Sequence, residues 1–542
     1  MRTRVVQNNR KAKEERVAIS SSKFKKSLTW NAIFLATASG VLLFLSFPKY
    51  GSGFLAFIAL IPLFRAISEA TSLRQGLLLG FITGLICHVG LLYWIAYVVV
   101  NYGYLPLYLG IILMLLLSSY LSLYLAVFAA GIIFFRKNIA LYLLAPVLWI
   151  CLEYCKSYLF TGFPWENLGY SQYLNKYLIQ ISDITGVYGL SFLIVLVNAS
   201  IFCFFTETAK KKFVLTIALI LLISGVLIYG VQRSSQIEQA LQNEAETEVI
   251  LIQGNIDQSI KWNEGFQKET VNIYEQLSLQ NAPIKGSLIV WPETALPFNY
   301  QDANSLQKQV RDVALTTKSW FIFGSTSYDK TPKDTNYYNS SYLLSPDGEI
   351  KGKYNKVHLV PYGEYVPLRN IFPFIKKLTA GMGDFTAGSG YIPLAMDNKK
   401  IGILICYEGI LPFAARTYKK EGAELLVNIT NDAWFGATSA PFQHFSMTVF
   451  RAVETRLYLV RAANTGITAI VDPMGQVVGK TNIFEKALLK GNIKFSNIQT
   501  IYTRCGDVLV FICFGLVAFY FVLILIMRRK GNAGRKYSRS DQ

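Results

Sequence analysis

The sequence predicts a polytopic α-helical membrane protein with a soluble, layered α/β domain inserted before its last span. Three observations carry that prediction. The 542 residues are 52% hydrophobic and 14% aromatic, with only 16% charged, against roughly 25% in an ordinary soluble domain. Mean hydropathy is +0.33, and the apolar residues collect into runs near the length of about 20 that crosses a hydrocarbon core. Between residues 245 and 498 the pattern changes, and short strand-like runs alternate with amphipathic segments. Disordered and collagen-like chains are excluded. So is a protein that is only membrane, because 53 basic and 34 acidic residues remain.

Eight apolar runs are candidate spans: 28–47, 53–67, 76–100, 105–135, 139–155, 184–205, 213–230 and 508–527. The first is not a cleavable signal peptide, since no small-residue cleavage site follows it and further spans do. Charge then sets the orientation. Residues 1–27 hold nine Lys/Arg and two Glu, and residues 528–542 hold six and one Asp, so the tails carry +12 of the net +19. Each tail abuts a span, a pattern that fixes membrane topology rather than reading DNA, and no nucleic-acid partner is expected. With the N-terminus cytoplasmic, 21 Lys/Arg fall in the tails and loops of that side; the short loops opposite hold only Lys49, Lys156 and Lys176. Both termini therefore read as cytoplasmic and the inserted domain as outside. The expected division is a basic tail (1–27), a seven-span domain (28–230), a linker (231–244), the outer domain (245–498), a last membrane helix (499–527) and a second basic tail (528–542).

Within the outer domain the strand-like runs are 248–253, 287–291, 320–324, 342–344, 400–406, 424–429, 458–461 and 468–471. Several are continuously apolar, as strands buried on both faces are. Helical patterns lie at 263–279, 306–317, 411–421 and 441–456. Pro346-Asp347-Gly348 and Pro473-Met474-Gly475 mark hairpin turns. The alternation predicts helices covering sheets.

Seven cysteines are present, most of them within spans, where the thiol acts as a small hydrophobe. Cys151 and Cys155 share a helix face, but no His or third Cys joins them, and no metal site is expected. Cys406 is the one cysteine of the outer domain and has no disulfide partner there. It ends the apolar run Ile401-Gly402-Ile403-Leu404-Ile405 and reads either as a thiol presented at a sheet edge or as an inert core thiol. The only histidines are His88, His358 and His444. That is too few for zinc catalysis with three protein ligands once His88 is assigned to a span. A base for Cys406 is therefore sought among carboxylates.

Three segments stand out together: Trp291-Pro292-Glu293-Thr294, the stretch from Lys353 through Lys356 to Glu364, and Ile405-Cys406-Tyr407-Glu408. In this order they resemble the Glu-Lys-Cys motifs of the nitrilase (carbon–nitrogen hydrolase) superfamily, and the likeness continues through Asn428-Ile429-Thr430-Asn431-Asp432-Ala433-Trp434-Phe435-Gly436. Eight spans around such a domain narrow the resemblance to the apolipoprotein N-acyltransferase family. Phe163-Pro164-Trp165-Glu166-Asn167-Leu168-Gly169-Tyr170-Ser171, Gln253-Gly254-Asn255 and Gln443-His444-Phe445 are similar to further segments of it.

The resemblance implies an inserted nitrilase-like α-β-β-α sandwich and a triad of Glu293, Lys356 and Cys406. Glu293 is then the general base for the thiol. Lys356 stabilises thiolate and oxyanion, with the Tyr407 backbone N–H. Glu364 orients the lysine, Glu408 stands beside the nucleophile, and Trp262 is a lid aromatic. Phe372 and Phe374, in an apolar run followed by Lys376 and Lys377, suit a loop dipping into the membrane interface. The implied reaction transfers an acyl chain from a phospholipid, typically phosphatidylethanolamine, to the α-amine of a diacylglyceryl-cysteine lipoprotein. A Cys406 thioester is the intermediate, and no cofactor or metal is involved. A bacterial inner membrane with the domain in the periplasm is implied as well. The competing readings are a membrane-tethered amidase or nitrilase with water as acceptor, and a transporter or receptor carrying a catalytically dead domain.

Overall fold

The computed structural model describes residues 28–136, 139–280, 284–332, 334–365 and 384–540, with only the backbone for 528–540. Among the described residues five helices are long and apolar enough to cross a membrane: Leu73–Leu92, Leu107–Phe135, Val187–Thr206, Ala209–Leu241 and Val508–Met527. Trp30–Phe44 and Leu141–Tyr158 pack with them as shorter apolar helices. The predicted run 53–67 is not one helix. It forms the 3-10 turn Gly53–Phe57 and then Ile61–Glu69, because Pro62 suits a helix start and the Asn198 side chain accepts from the Leu60 N–H at 2.8 Å. Residues 231–241, read from the sequence as linker, continue the helix Ala209–Leu241 out of the apolar stretch.

Among the described residues thirteen strands follow in the α/β domain: β1 (Glu246–Gln253), β2 (Leu288–Val290), β3 (Leu296–Asn299), β4 (Trp320–Lys330), β5 (Thr335–Leu344), β6 (Ile350–Asn355), β7 (Leu394–Met396), β8 (Lys399–Ile405), β9 (Leu425–Thr430), β10 (Tyr458–Ala463), β11 (Ala469–Val471), β12 (Val477–Lys480) and β13 (Ala487–Lys494). They form two sheets, ordered β13-β1-β2-β4-β5-β6, with β3 also on β4, and β12-β11-β10-β9-β8-β7. In each sheet the three central strands run parallel, β1-β2-β4 and β8-β9-β10, and antiparallel strands flank them.

Alternation of side chains across each strand explains the unbroken apolar runs. Val249, Leu251, Leu288, Val290 and Ile322 face the second sheet and share a core with Ile403, Val427 and Val460. Ile250, Ile252, Ile289, Phe321 and Phe323 face the opposite way, against Val271 and Tyr274 of Glu264–Leu279 and Val310 and Val313 of Ser305–Thr317. The helices Pro412–Lys420 and Ala440–Thr455 cover the far face of the second sheet. The layers are helix, sheet, sheet, helix.

The outer domain is not loosely tethered. Fifteen of the sixteen residues of Ala440–Thr455 are buried, because the helix lies between its own sheet and the loop 159–186 of the membrane half. Trp165 Nε1 donates to Gln443 Oε1 at 2.8 Å, Arg451 donates to the Tyr170 hydroxyl at 3.1 Å, and Arg456 pairs with Asp183 at 2.9 Å. Trp165, Ile179 and Val187 belong to the same core as Val449 and Val453.

Candidate active site

Each residue of the expected triad lies just beyond the end of a strand. Glu293 follows β2, Lys356 directly follows β6, and Cys406 directly follows β8. The turn carrying Glu293 rests on β4 at Gly324, where any Cβ would come within 2.4 Å of the Thr294 nitrogen and 2.7 Å of the Glu293 Cα. Only glycine permits that approach. Cys406 itself has φ +54°, left-handed backbone that a non-glycine residue seldom adopts and that gathers at functional sites. The sharp turn it makes opens the 3-10 helix Cys406–Ile410, with Tyr407 as the next residue.

The side chains converge in a buried cluster. Lys356 Nζ lies 2.9 Å from Glu364 Oε2 and 3.7 Å from Glu293 Oε1. Asn339 on β5 bridges the two carboxylates, its Nδ2 donating to Glu293 Oε1 at 2.8 Å and to Glu364 Oε1 at 3.0 Å. The Asn431 backbone N–H donates to Glu293 Oε2 at 2.8 Å, and the Val360 N–H to Glu364 Oε2 at 2.8 Å. Burying an ammonium is costly unless it is paired, and here two carboxylates share the task. Burial works against the Lys356 charge, but Glu364 and then Glu293 outweigh it and hold the amine protonated far above neutral pH.

Burial, and after it the Glu293 charge, pushes the Cys406 thiol well above its ordinary range, while Lys356 and the Thr430 hydroxyl pull the other way. The balance of these effects favours the protonated sulfur, with Lys356 the charge that opposes it.

Glu408 binds the pieces together. It is fully buried and accepts from the backbone N–H groups of Val357 (2.8 Å), His358 (2.9 Å) and Ile405 (2.8 Å) and from the Tyr354 hydroxyl (2.9 Å). Two of those donors follow Lys356 and one precedes Cys406, so one carboxylate fixes the spacing of base partner and nucleophile. Burial raises its pKa to about 7, against Lys356 and the three N–H donors.

Three groups escaped the sequence reading. Asn339 is the first. Lys261 is the second: fully buried, it donates to Thr294 Oγ1 at 3.0 Å, and burial lowers its pKa to about 7 against the pull of Glu293. The third is a network under the nucleophile. His444 contacts the Cys406 carbonyl at 3.2 Å and Asp432 at 2.9 Å. Arg461 pairs with Asp432 at 2.8 Å and donates to Asn428. Asp432 stays at about 2 because Arg461 and His444 overcome burial. Trp262, next to buried Lys261, is 38% exposed at the site's edge, and Tyr407 stacks between Trp165 and His358. Phe372 and Phe374 lie outside the described residues.

The comparisons with known proteins divide the chain where the fold does. Residues 39–200 match the family model described as the apolipoprotein N-acyltransferase N-terminal domain, and residues 251–503 match the carbon-nitrogen hydrolase model. An apolipoprotein N-acyltransferase of Geobacter metallireducens is 46% identical over 92% of this chain and 95% of its own length. One from Methylococcus capsulatus is 32% identical over 94% and 99%. Among solved structures, a carbon-nitrogen hydrolase from Helicobacter pylori is 19% identical, covering 48% of this chain and 94% of that one, with a TM-score of 0.36. Both halves of the molecule are thus matched, and by relatives that run its full length: the chain belongs to the apolipoprotein N-acyltransferase family.

Proposed function

We propose that this protein moves a fatty acyl chain from a phospholipid to the N-terminal α-amine of a diacylglyceryl-cysteine apolipoprotein, by a ping-pong route through Cys406. The observation that carries the reading is the Glu293–Lys356–Glu364 cluster whose charges bear on the half-buried Cys406 thiol, in a domain seated on a membrane bundle whose relatives bear the acyltransferase name. Glu293 takes the thiol proton as sulfur attacks the ester carbonyl of the donor. Lys356 and the Tyr407 N–H stabilise the oxyanion. The C–O bond breaks, the leaving lysophospholipid oxygen receives the proton from Glu293, and an S-acyl thioester remains. The lipoprotein amine then attacks the thioester, an amide forms, and the thiolate leaves and recovers a proton. Glu364 orients Lys356, Glu408 positions both partners, and Trp262 guards the entrance.

The donor in this reading is typically phosphatidylethanolamine. The chain crosses a bacterial inner membrane eight times, with both termini cytoplasmic, the seven-span part over 28–230, the catalytic domain over 245–498 in the periplasm, and the last span within 499–527. The basic bias of the tails supports that orientation. Donor and acceptor share one bilayer surface, and holding both there lowers the entropic part of the barrier.

The test is the intact mass of the purified protein after incubation with phosphatidylethanolamine, beside Cys406→Ala. A hydroxylamine-labile acyl adduct is expected, absent from the variant and discharged by diacylated lipopeptide. An adduct discharged only by water would instead make the protein a tethered hydrolase. Neither adduct nor lysophospholipid would sink the phospholipid donor.

A further inference from the structure

A second polar site lies in the membrane half, away from Cys406. A cavity of about 50 Å³ opens among the helices Trp30–Phe44, Leu73–Leu92, Leu107–Phe135 and Leu141–Tyr158, and its wall includes His88, Glu153, Lys156 and Glu166 among apolar residues such as Phe47 and Phe128. By the same measure one water needs about 10–15 Å³, so the space admits a small polar head. Ionisable side chains at such a depth are costly to keep and usually serve a ligand or a pathway.

The wall is rich in unused acceptors. Glu153 Oε1 accepts from Trp149 Nε1 at 3.1 Å and from the Leu168 N–H at 2.7 Å, but its Oε2 has no partner. Glu166 Oε1 accepts from Ser446 at 3.3 Å, and its Oε2 is likewise alone. Both side chains are more than nine-tenths buried. Glu166 is held at φ +49°, a conformation a glutamate adopts only where its surroundings demand it. Lys156 Nζ donates to the Trp165 carbonyl at 3.1 Å and makes no ion pair with either glutamate among the described residues. Two carboxyl groups, each with one unpartnered oxygen, and one lysine amine thus line the same space.

A group that donates hydrogen bonds fits this lining, and a positive charge suits two carboxyl groups set against one amine. Among the described residues no group of three His, Cys, Asp or Glu could hold a metal ion, and Ca²⁺ or Mg²⁺ wants about six oxygens. A primary ammonium needs no more than three acceptors, and its charge strengthens each bond. Tyr124, Leu125 and Leu152 on the cavity wall are half-buried and offer an apolar flank to an attached chain.

We infer that this cavity binds the primary ammonium of a membrane-borne molecule between the Glu153 and Glu166 carboxylates. Two sources carry that group beside acyl chains: an ethanolamine lipid headgroup, and the free α-amine of a lipidated N-terminus. Trp165, whose carbonyl accepts from Lys156 of the cavity wall at 3.1 Å, stacks its ring on Tyr407 at 6.4 Å.

The test uses full-length Cys406→Ala protein, in which acyl transfer is blocked, so a negative result leaves the acyl-transfer reading untouched. The protein is placed in nanodiscs holding equal phosphatidylethanolamine and phosphatidylcholine, and the lipids retained are read by native mass spectrometry. Phosphatidylcholine is the control because its quaternary ammonium has no N–H to donate. The wild-type cavity is expected to retain the ethanolamine lipid about tenfold over the choline lipid, the effect of one charge-assisted bond. Glu166→Gln and Glu153→Gln, each checked for an unchanged melting transition, are each expected to abolish that preference. Preference instead for a diacylated lipopeptide with a free amine over its N-acetylated form, lost in the same variants, supports the site and names the other source. No preference in the wild-type cavity for either ammonium overturns the inference without recourse to any variant. So does a preference that survives both substitutions; in either case the cavity holds water only.

Discussion

Glu408→Gln is the sharpest probe of how the site is held. The change keeps the shape and removes the charge. The Gln oxygen still accepts from Val357 and His358, whose N–H groups stand 2.8 and 2.9 Å from Glu408 Oε1. The amide nitrogen, in place of Oε2, meets the Ile405 N–H at 2.8 Å donor to donor. One buried donor is left without an acceptor, at about 1–3 kcal/mol, and the surviving bonds lose their charge assistance. About 2–3 kcal/mol is therefore at stake between Ile405, which precedes the nucleophile, and Val357, which follows Lys356. If that energy appears in the transition state for acylation, the rate falls about 30- to 150-fold. The assay is single-turnover acyl-enzyme formation from phosphatidylethanolamine, quenched and read by intact mass, with the melting temperature measured alongside. A rate within threefold of wild type would refute the argument that this carboxylate sets the spacing of Lys356 and Cys406.

Lys356→Met leaves Glu293 and Glu364 without their shared cation and is expected to slow acylation by about 10²–10³-fold, as loss of one oxyanion-stabilising group does; stopped-time mass measurement checks it. Gly324→Ala drives a methyl into the backbone at Thr294 and Glu293. It is expected to cost about 1–3 kcal/mol and to displace the base, lowering both the melting temperature and the acylation rate. For pH, Asp432 is held at about 2 against an ordinary 3.8. A depressed carboxylate gives stability that is complete above the unfolded value and is lost as pH falls from about 4 toward 2. That contribution is about 2 kcal/mol. Melting curves across that window are expected to flatten in Asp432→Asn relative to wild type.

What the sequence disclosed follows burial. Strands β1, β2, β8, β9 and β10 are buried on both faces, so their apolar runs are continuous and were found within a residue or two. β6 (Ile-Lys-Gly-Lys-Tyr-Asn) and β13 (Ala-Leu-Leu-Lys-Gly-Asn-Ile-Lys) lie at sheet edges and are largely exposed. Their polar residues hide the strand period. The first half of β5, Thr-Asn-Tyr-Tyr-Asn-Ser-Ser, reads as loop for the same reason, and it took Asn339 with it. Glu293, Lys356 and Cys406 were singled out because each stands in a segment that resembles a family motif, although the strand before Lys356 was not read. Lys261 and Asp432 were not assigned roles, since nothing local distinguishes a buried Lys or Asp from a solvated one until its partners, Thr294 and Arg461, are known. The apolar run 53–67 differed for another reason. A run of apolar residues reports composition, whereas Pro62 and the Asn198 cap decide where the backbone breaks.

The helix Ala440–Thr455 bears on transfer against hydrolysis. It carries His444 under Cys406 and, one residue earlier and two turns later, Gln443 and Arg451, which bond to Trp165 and Tyr170 of the membrane half. Arg456, at its end, is bound to Asp183, to the Gln180 side chain and to the Pro473 carbonyl. A hydrolase acting on a soluble amide gains nothing from this, because its substrate arrives from any direction and a flexible tether would serve as well. An enzyme whose two substrates both lie in the bilayer gains a great deal. Its nucleophile must sit at one depth and tilt relative to the membrane plane, and a floating domain would lose the effective molarity that shared anchoring provides. Burying Arg451, Glu454 and Arg456 to weld the two halves costs desolvation, so the fold spends stability on a fixed orientation.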